Sequence, residues 1–173
     1  INNLKFKGFL KQTLNLLFNY KINVDIKCDN AYTEDSWHNI FVITNEADDH
    51  LNGKRIFGVW VSPTGFLRFI MNNADDEPAD PNQPGRHTFE SYKDIVCEYG
   101  WNNYQLESRQ NAENSSLVNY ILSKDGKVIY EDSHSAANFP NGNGLKVFVS
   151  SPDYGAASLF HVRNFYVEIL KYF

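Results

Sequence analysis

The chain has 173 residues, enough to bury one substantial core but giving no reason to expect two full domains, so residues 1–173 are read as a single domain. Aromatic residues are 15% of the total, with 13 Phe and 10 Tyr against a single Met, a composition suited to pleated, half-buried surfaces and therefore to strands. The formal net charge of -5 and the scatter of the 16 Lys and Arg argue against a nucleic-acid or anionic-membrane surface, and no apolar run approaches the roughly 18 residues that would insert into a bilayer.

The first segment, residues 9–18, carries Leu10, Leu14, Leu17 and Phe18 at helical spacing; it is read as strand and turn, with a short helix as the open alternative. Residues 20–28 alternate strictly. Tyr20, Ile22, Val24, Ile26 and Cys28 fall on one face and Lys21, Asn23, Asp25 and Lys27 on the other, which predicts a strand with one wet side. Residues 38–44 (HNIFVIT) and 55–62 (RIFGVWVS) are apolar runs of strand length and read as central strands. A tight turn at Ser62-Pro63-Thr64-Gly65 leads into a strand over 66–71, after which residues 72–86, rich in Asp, Asn and Pro, predict a long loop.

Strands are further expected over 92–98, 103–109, 117–123 and 127–131, the last two joined by Lys124-Asp125-Gly126, where Asp-Gly between β-rich runs signals a hairpin. Residues 145–150 and 162–170 supply the final two. About ten strands, frequent turns and no βαβ rhythm predict an all-β fold, a two-sheet antiparallel β-sandwich.

Five segments stand out in chain order: Trp37-His38-Asn39-Ile40 leading to Thr44; Gly53-Lys54-Arg55-Ile56-Phe57-Gly58-Val59-Trp60; Tyr120-Ile121-Leu122 with Gly126-Lys127-Val128; residues 145–154; and Val162-Arg163-Asn164-Phe165 in the closing strand. Together they resemble an extracellular family of concanavalin A-like lectin/glucanase modules, with Phe57 where the family tends to have Pro and with Ser151 and Asp153 in place of the family's Asp and Trp. The resemblance implies a jelly roll and a binding module at the cell surface or outside the cell. The Arg-Asn pair is expected to present its donors to neighbouring loops.

Glycosidases on such a sandwich need two carboxylates flanking the bond, at alternating positions of a strand when one strand carries both. No such acidic strand is present, and the acidic clusters fall in predicted loops or at strand ends. No Gly-x-Ser-x-Gly elbow occurs, and His38, His50, His87, His134 and His161 are scattered. The chain is therefore read as non-catalytic, with a polysaccharide-cleaving glycosidase or lyase as the minor alternative.

Sugar recognition combines an aromatic platform with groups that hydrogen-bond hydroxyls, so the carbohydrate-binding candidates are Trp60, Trp101, Asn102, Asn103, Tyr104, Asp153 and Tyr154. Trp60 also has the strand context of a core residue. Asp48 and Asp49, or Asp75, Asp76 and Asp80, offer hard oxygen ligands of the kind Ca²⁺ takes, set against their reading as solvated turns. The expected partner is a glycan or another extracellular protein, with self-association as the structural, adhesive alternative; neither nucleic acid nor membrane insertion is expected.

Cys28 and Cys97 leave a disulfide and a pair of buried thiols equally open. Asn114-Ser115-Ser116 fits the N-glycosylation acceptor pattern. The start at Ile1 without a leader is expected of a mature product or a piece of a larger protein.

Overall fold

The structure is a computed structural model that describes residues 10–14, 19–28, 37–44, 55–73, 90–135, 145–149 and 160–170. Eleven strands are seen among the described residues: β1 (Leu10–Leu14), β2 (Tyr20–Cys28), β3 (His38–Thr44), β4 (Arg55–Val61), β5 (Phe66–Asn73), β6 (Glu90–Val96), β7 (Gly100–Gln110), β8 (Leu117–Lys124), β9 (Lys127–Ser135), β10 (Leu145–Val149) and β11 (Phe160–Ile169). The strand reading of residues 10–14 thus holds over the helical alternative. The calcium candidates Asp48, Asp49, Asp75, Asp76 and Asp80, and the sugar candidates Asp153 and Tyr154, lie outside the described residues.

The strands form two antiparallel sheets, a six-stranded one in the order β1-β10-β3-β4-β5-β6 and a five-stranded one in the order β11-β2-β7-β8-β9. Together they make a two-sheet antiparallel sandwich. Its core interleaves Phe41, Phe57, Val59, Phe69 and Leu67 of the first sheet with Ile22, Val24, Ile26, Tyr104, Leu106 and Leu122 of the second. Rings bridge the sheets: Phe41 meets Phe165 edge-on at 5.1 Å, and Phe69 lies 4.9 Å from Tyr104.

The two kinds of sequence pattern have distinct causes. Alternation in β2 follows from an apolar core face and an opposite polar face, on which Asn23 and Asp25 are covered by neighbouring side chains, whereas the continuous runs of β3 and β4 are buried on both faces. Behind the main core, Val42, Trp60 and Ile70 form a second cluster against Trp37, whose ring is covered at 4.5 Å by Arg68, itself in a bidentate pair with Asp94.

A bulge in β3, where Asn39 opposes Trp60 and Phe41 opposes Val59, inserts Ile40 as an extra residue. Both Ile40 and Phe41 enter the main core, and the buried Asn39 amide donates to the Phe41 and Val59 carbonyls.

Turn chemistry is local. Asp125 and Gly126 both have positive φ (49° and 77°), the geometry of a two-residue type I′ hairpin between β8 and β9. At the β4–β5 hairpin Ser62 accepts from Gly65 N at 3.0 Å and donates to Phe66 O at 2.8 Å through its own backbone. One covalent bond joins the sheets: Cys28, the last residue of β2, is disulfide-bonded to Cys97, just past β6, with Cα atoms 6.0 Å apart.

Candidate functional site

The solvent face of the five-stranded sheet carries the most organised polar chemistry among the described residues. Because β11, β2 and β7 are in register, their outward side chains form rows across the sheet. His161, Lys27 and Trp101 make one row, Arg163, Asp25 and Asn103 the next, and Tyr166, Asn23 and Gln105 a third. Neighbours in a row are close enough to interact directly.

Asp25 is the hub. Its Oδ1 accepts from Asn103 Nδ2 at 2.7 Å, and its Oδ2 accepts from Asn164 Nδ2 at 2.7 Å and Arg163 Nε at 3.1 Å. Asn23 extends the network, its Oδ1 accepting from Asn103 at 3.2 Å and Gln105 at 3.0 Å. Asp25 is only 9% exposed. That burial by itself raises its carboxyl pKa, but the hydrogen bonds from Asn103, Arg163 and Asn164, with the Arg163 charge, outweigh it and hold the value below the ordinary carboxylate range.

The geometry of β11 makes this possible. Two residues lie between Arg163 and Tyr166 while one lies between their partners Asp25 and Asn23, so one extra residue bulges from the strand. Asn164 takes that bulge with φ of 51°, a left-handed conformation that Asn tolerates better than most side chains. Its carbonyl accepts from Asn23 Nδ2 at 3.2 Å while its amide reaches Asp25. The donors of Arg163 and Asn164 therefore go to the adjacent strand β2, and the expectation that they serve neighbouring loops is corrected.

Trp101 stands at the start of β7, 39% exposed, with the Arg163 guanidinium 4.0 Å from its ring centroid and the His161 ring at 6.5 Å. Gly100 before it has φ of +95° and opposes Cys28, a backbone shape that a side chain would strain. Beside it the β8–β9 hairpin tip docks on Asn103: Asp125 Oδ1 accepts from Asn103 N, and Asp125 N donates to Asn103 O, both at 2.8 Å. Lys124 pairs with Glu98 at 2.6 Å just beyond.

Of the sequence candidates, Trp101 and Asn103 are brought together on this face. Three others are corrected. Trp60 is 5% exposed, its ring lying over Gly58, which has no side chain to lift it into solvent. Tyr104 is fully buried because alternation from Trp101 turns every second residue of β7 inward. Asn102 is buried for the same reason and donates to the carbonyls of Glu98 and Gly100, stabilising the turn into β7.

Sequence reasoning left Asp25, Arg163 and Asn164 out of the site. The wet side of β2 and the Arg-Asn pair of β11 were the available signals. Among the described residues no group of three or more His, Cys, Asp or Glu is placed to hold a metal ion, and no helix is long and apolar enough to cross a membrane.

Asn114 is exposed in the β7–β8 connection, its Oδ1 accepting from Ser116 N at 3.0 Å and Ser116 Oγ at 2.6 Å. At about 3.3 Å per residue, the 11-residue β7 separates this turn from Trp101 by roughly 30 Å.

No family model and no curated protein matches this sequence. Solved structures do match. A structure of botulinum neurotoxin type C, whose cell entry depends on interaction with two ganglioside molecules, aligns with a TM-score of 0.55 at 13% identity, covering 91% of this chain and 34% of that one. The chain thus spans about a third of the toxin chain. The alginate lyase vAL-1 from Chlorella virus aligns with a TM-score of 0.57 at 9% identity, over 88% of this chain and 72% of the lyase. The CBM40 of the Ruminococcus gnavus IT-sialidase, bound to α2,3 sialyllactose, aligns at 0.50 and 13% identity, over 91% and 80%. At such identities the likeness is one of fold: this chain is built as a jelly-roll β-sandwich.

Proposed function

We propose that this chain is a non-catalytic carbohydrate-binding module that works outside the cell. The observation that carries the reading is the surface around Trp101. A partly exposed indole is fixed against Arg163 and bordered by a row of amide and carboxylate groups, Asn103, Asp25 and Asn164, that are locked by mutual hydrogen bonds. A pyranose ring has an apolar face for such an aromatic and hydroxyls for such polar neighbours, and a pre-organised surface binds it at small entropic cost.

The fold neighbours support the reading: the toxin structure concerns gangliosides, and the CBM40 holds sialyllactose. The lyase is a reminder that catalysis also occurs on this fold. Asp25, however, has both oxygens occupied by donors and a lowered pKa, which suits a structural anchor and not a proton donor. The Cys28–Cys97 disulfide agrees with an oxidising compartment.

A glycan array probed with the wild-type chain and with Trp101→Ala tests this reading. Binding that the substitution abolishes is expected, and glycan binding unaffected by Trp101→Ala, or no binding to any glycan, overturns it. Repeating the array with a chelator tests whether Ca²⁺ takes part.

A second reading, docking of another protein or a second copy, is favoured by one feature. Phe66 and Val96 are cross-strand neighbours at 39% and 59% exposure, close in sequence to Tyr99 at 70%. Concentration-dependent self-association without glycan binding is the outcome it predicts.

A further inference from the structure

We propose that the glycans bound around Trp101 carry a carboxylate, and that Arg163 is the residue that takes it; this rests on the carbohydrate-binding reading above. A guanidinium has five N–H donors in a rigid fork whose geometry matches a carboxylate. In Arg163 one donor is committed, Nε to Asp25 Oδ2 at 3.1 Å, and the guanidinium carbon lies over the Trp101 ring at 4.0 Å from its centroid. Among the described residues no hydrogen bond uses the two terminal nitrogens, and the side chain remains 52% exposed.

Two contacts therefore restrain the fork before any ligand arrives: the Asp25 carboxylate holds the Nε edge at 3.1 Å, and the guanidinium carbon lies 4.0 Å from the centroid of the Trp101 ring. Asp25 is itself held by Asn103 and Asn164, so the restraint reaches across three strands. A long, flexible side chain ordinarily loses considerable rotamer freedom on engaging a ligand; here most of that ordering is done within the fold.

The arrangement has a use that an ion pair on a sheet surface does not require. Had Asp25 served only to neutralise Arg163, a bidentate pair like that of Arg68 and Asp94 would be the efficient geometry. Arg163 instead gives Asp25 a single nitrogen and leaves the fork end outward, beside the indole. Lys27, in the row that joins His161 to Trp101, adds a second cation to the same face. A sugar ring stacked by Trp101 with an acid on its ring carbon thus meets a bidentate donor at the ring's edge, and a neutral sugar meets an unfilled one.

Titration calorimetry with matched pairs of sugars is the test. Sialyllactose against lactose and a galacturonate trimer against a galactose trimer distinguish a sialic-acid source of the carboxylate from a uronic-acid source. The acid-bearing member of at least one pair is expected to bind about tenfold tighter or more, as a charge-assisted bidentate contact provides. Arg163→Gln is expected to bring the affinities of the acid and neutral members of a pair to within about threefold of each other, and Arg163→Lys to restore only part of the preference, since charge returns without the fork. Thermal melts of both variants establish that they fold.

Equal affinity for acid and neutral sugars, or a preference that survives Arg163→Gln in a folded protein, overturns the proposal. Neutral-sugar binding that Trp101→Ala abolishes, with no acid preference, overturns this inference alone. No binding of any sugar overturns the carbohydrate reading with it.

Discussion

Asn164 donates its side-chain amide to Asp25 Oδ2 across 2.7 Å although 139 residues separate the two in sequence. The contact joins the closing strand to the second strand of the same sheet and completes a carboxylate whose oxygens are occupied by three side chains. An isolated buried carboxylate would resist ionisation; this one is held charged by its donors.

An acid dependence of stability follows, with a definite sign. The folded pKa of Asp25 lies below its unfolded value, so the unfolded state binds the proton first and the stabilisation is fully present above the ordinary carboxylate pKa of about 4. It is lost as pH falls from there through the lowered folded value. Asp25→Asn preserves shape but removes the charge and turns part of the acceptor set into donors. Roughly 1–2 kcal/mol of destabilisation at neutral pH is expected from the disrupted hydrogen bonds, with the partly exposed Arg163 pair adding little. Urea melts at pH 7 and in steps below pH 4 check this: the variant should show a shallower loss of stability with acid than the wild type. Parallel curves would remove Asp25 from the account.

The alkaline limb has a separate origin. Tyr20, Ser108 and Tyr120 stand in one row across β2, β7 and β8 on the core face, all fully buried. Burial raises the pKa of both phenols, offset in part by hydrogen bonding with Ser108, and it raises Tyr104 as well. A folded pKa above the unfolded one means stability complete below about pH 10 and lost as pH rises beyond it. Tyrosinate absorbance for these three should appear only as the sandwich unfolds, in a step separate from that of the exposed tyrosines. Tyr104 supplies a control, since its buried hydroxyl has no hydrogen-bond partner among the described residues. Tyr104→Phe is expected to be neutral or stabilising by up to about 1 kcal/mol, and a clear loss would show that the phenol is satisfied in solution.

How much of this was legible in sequence depended on whether the signal was local. The alternation of Tyr20 to Cys28 and the Asp125-Gly126 turn report their own backbone, and both emerged with the expected geometry. Trp60 and Trp101 differ by context: one stands in an apolar run with Gly58 beneath it, the other beside Gly100 and two amides. Asn102 and Tyr104 turn inward because residues 101–104 already belong to β7 and alternate, so that only Trp101 and Asn103 of the four face outward. The Asp25 hub was out of reach, since it requires the register of three strands and a bulge at Asn164 whose positive φ has no signature beyond the Asn itself. The insertion of β10 between β1 and β3 is equally non-local.

The disulfide gives a third prediction. Cys28 and Cys97 are 69 residues apart and link opposite sheets, so reduction releases a long loop in the unfolded chain. Typical stabilisation is about 2–4 kcal/mol for such a link. Because Cys28 opposes Gly100, the residue before Trp101, the loss should be felt at the candidate site too. Cys28→Ala with Cys97→Ala should lower the melting temperature and broaden Trp101 fluorescence. An unchanged melting temperature would show that the bond does not constrain the chain.

Asn114 yields the last prediction, which depends on the chain being secreted. Within Asn114-Ser115-Ser116 the Ser116 hydroxyl donates to Asn114 Oδ1 at 2.6 Å, drawing electron density toward the carbonyl oxygen, and no hydrogen bond among the described residues uses Asn114 Nδ2. The acceptor nitrogen is thus exposed in a turn that Asn111 stabilises by accepting from Glu113 N and Asn114 N, both at 2.9 Å. Transfer from a polyprenyl-pyrophosphate-linked oligosaccharide forms the N–C1 bond as the C1–O bond to pyrophosphate breaks and Nδ2 loses a proton. Expression through a eukaryotic secretory pathway should give a glycoform whose mass drops on treatment with a glycan-releasing amidase. Asn114→Gln and Ser116→Ala should both remove the shift, while Ser116→Thr keeps it because the hydroxyl remains. Glycan at this turn, some 30 Å along β7 from Trp101, should leave sugar binding unchanged. Secreted protein without glycan on Asn114 would count against the assignment, and binding lost on glycosylation would place the ligand surface at the wrong end of the sheet.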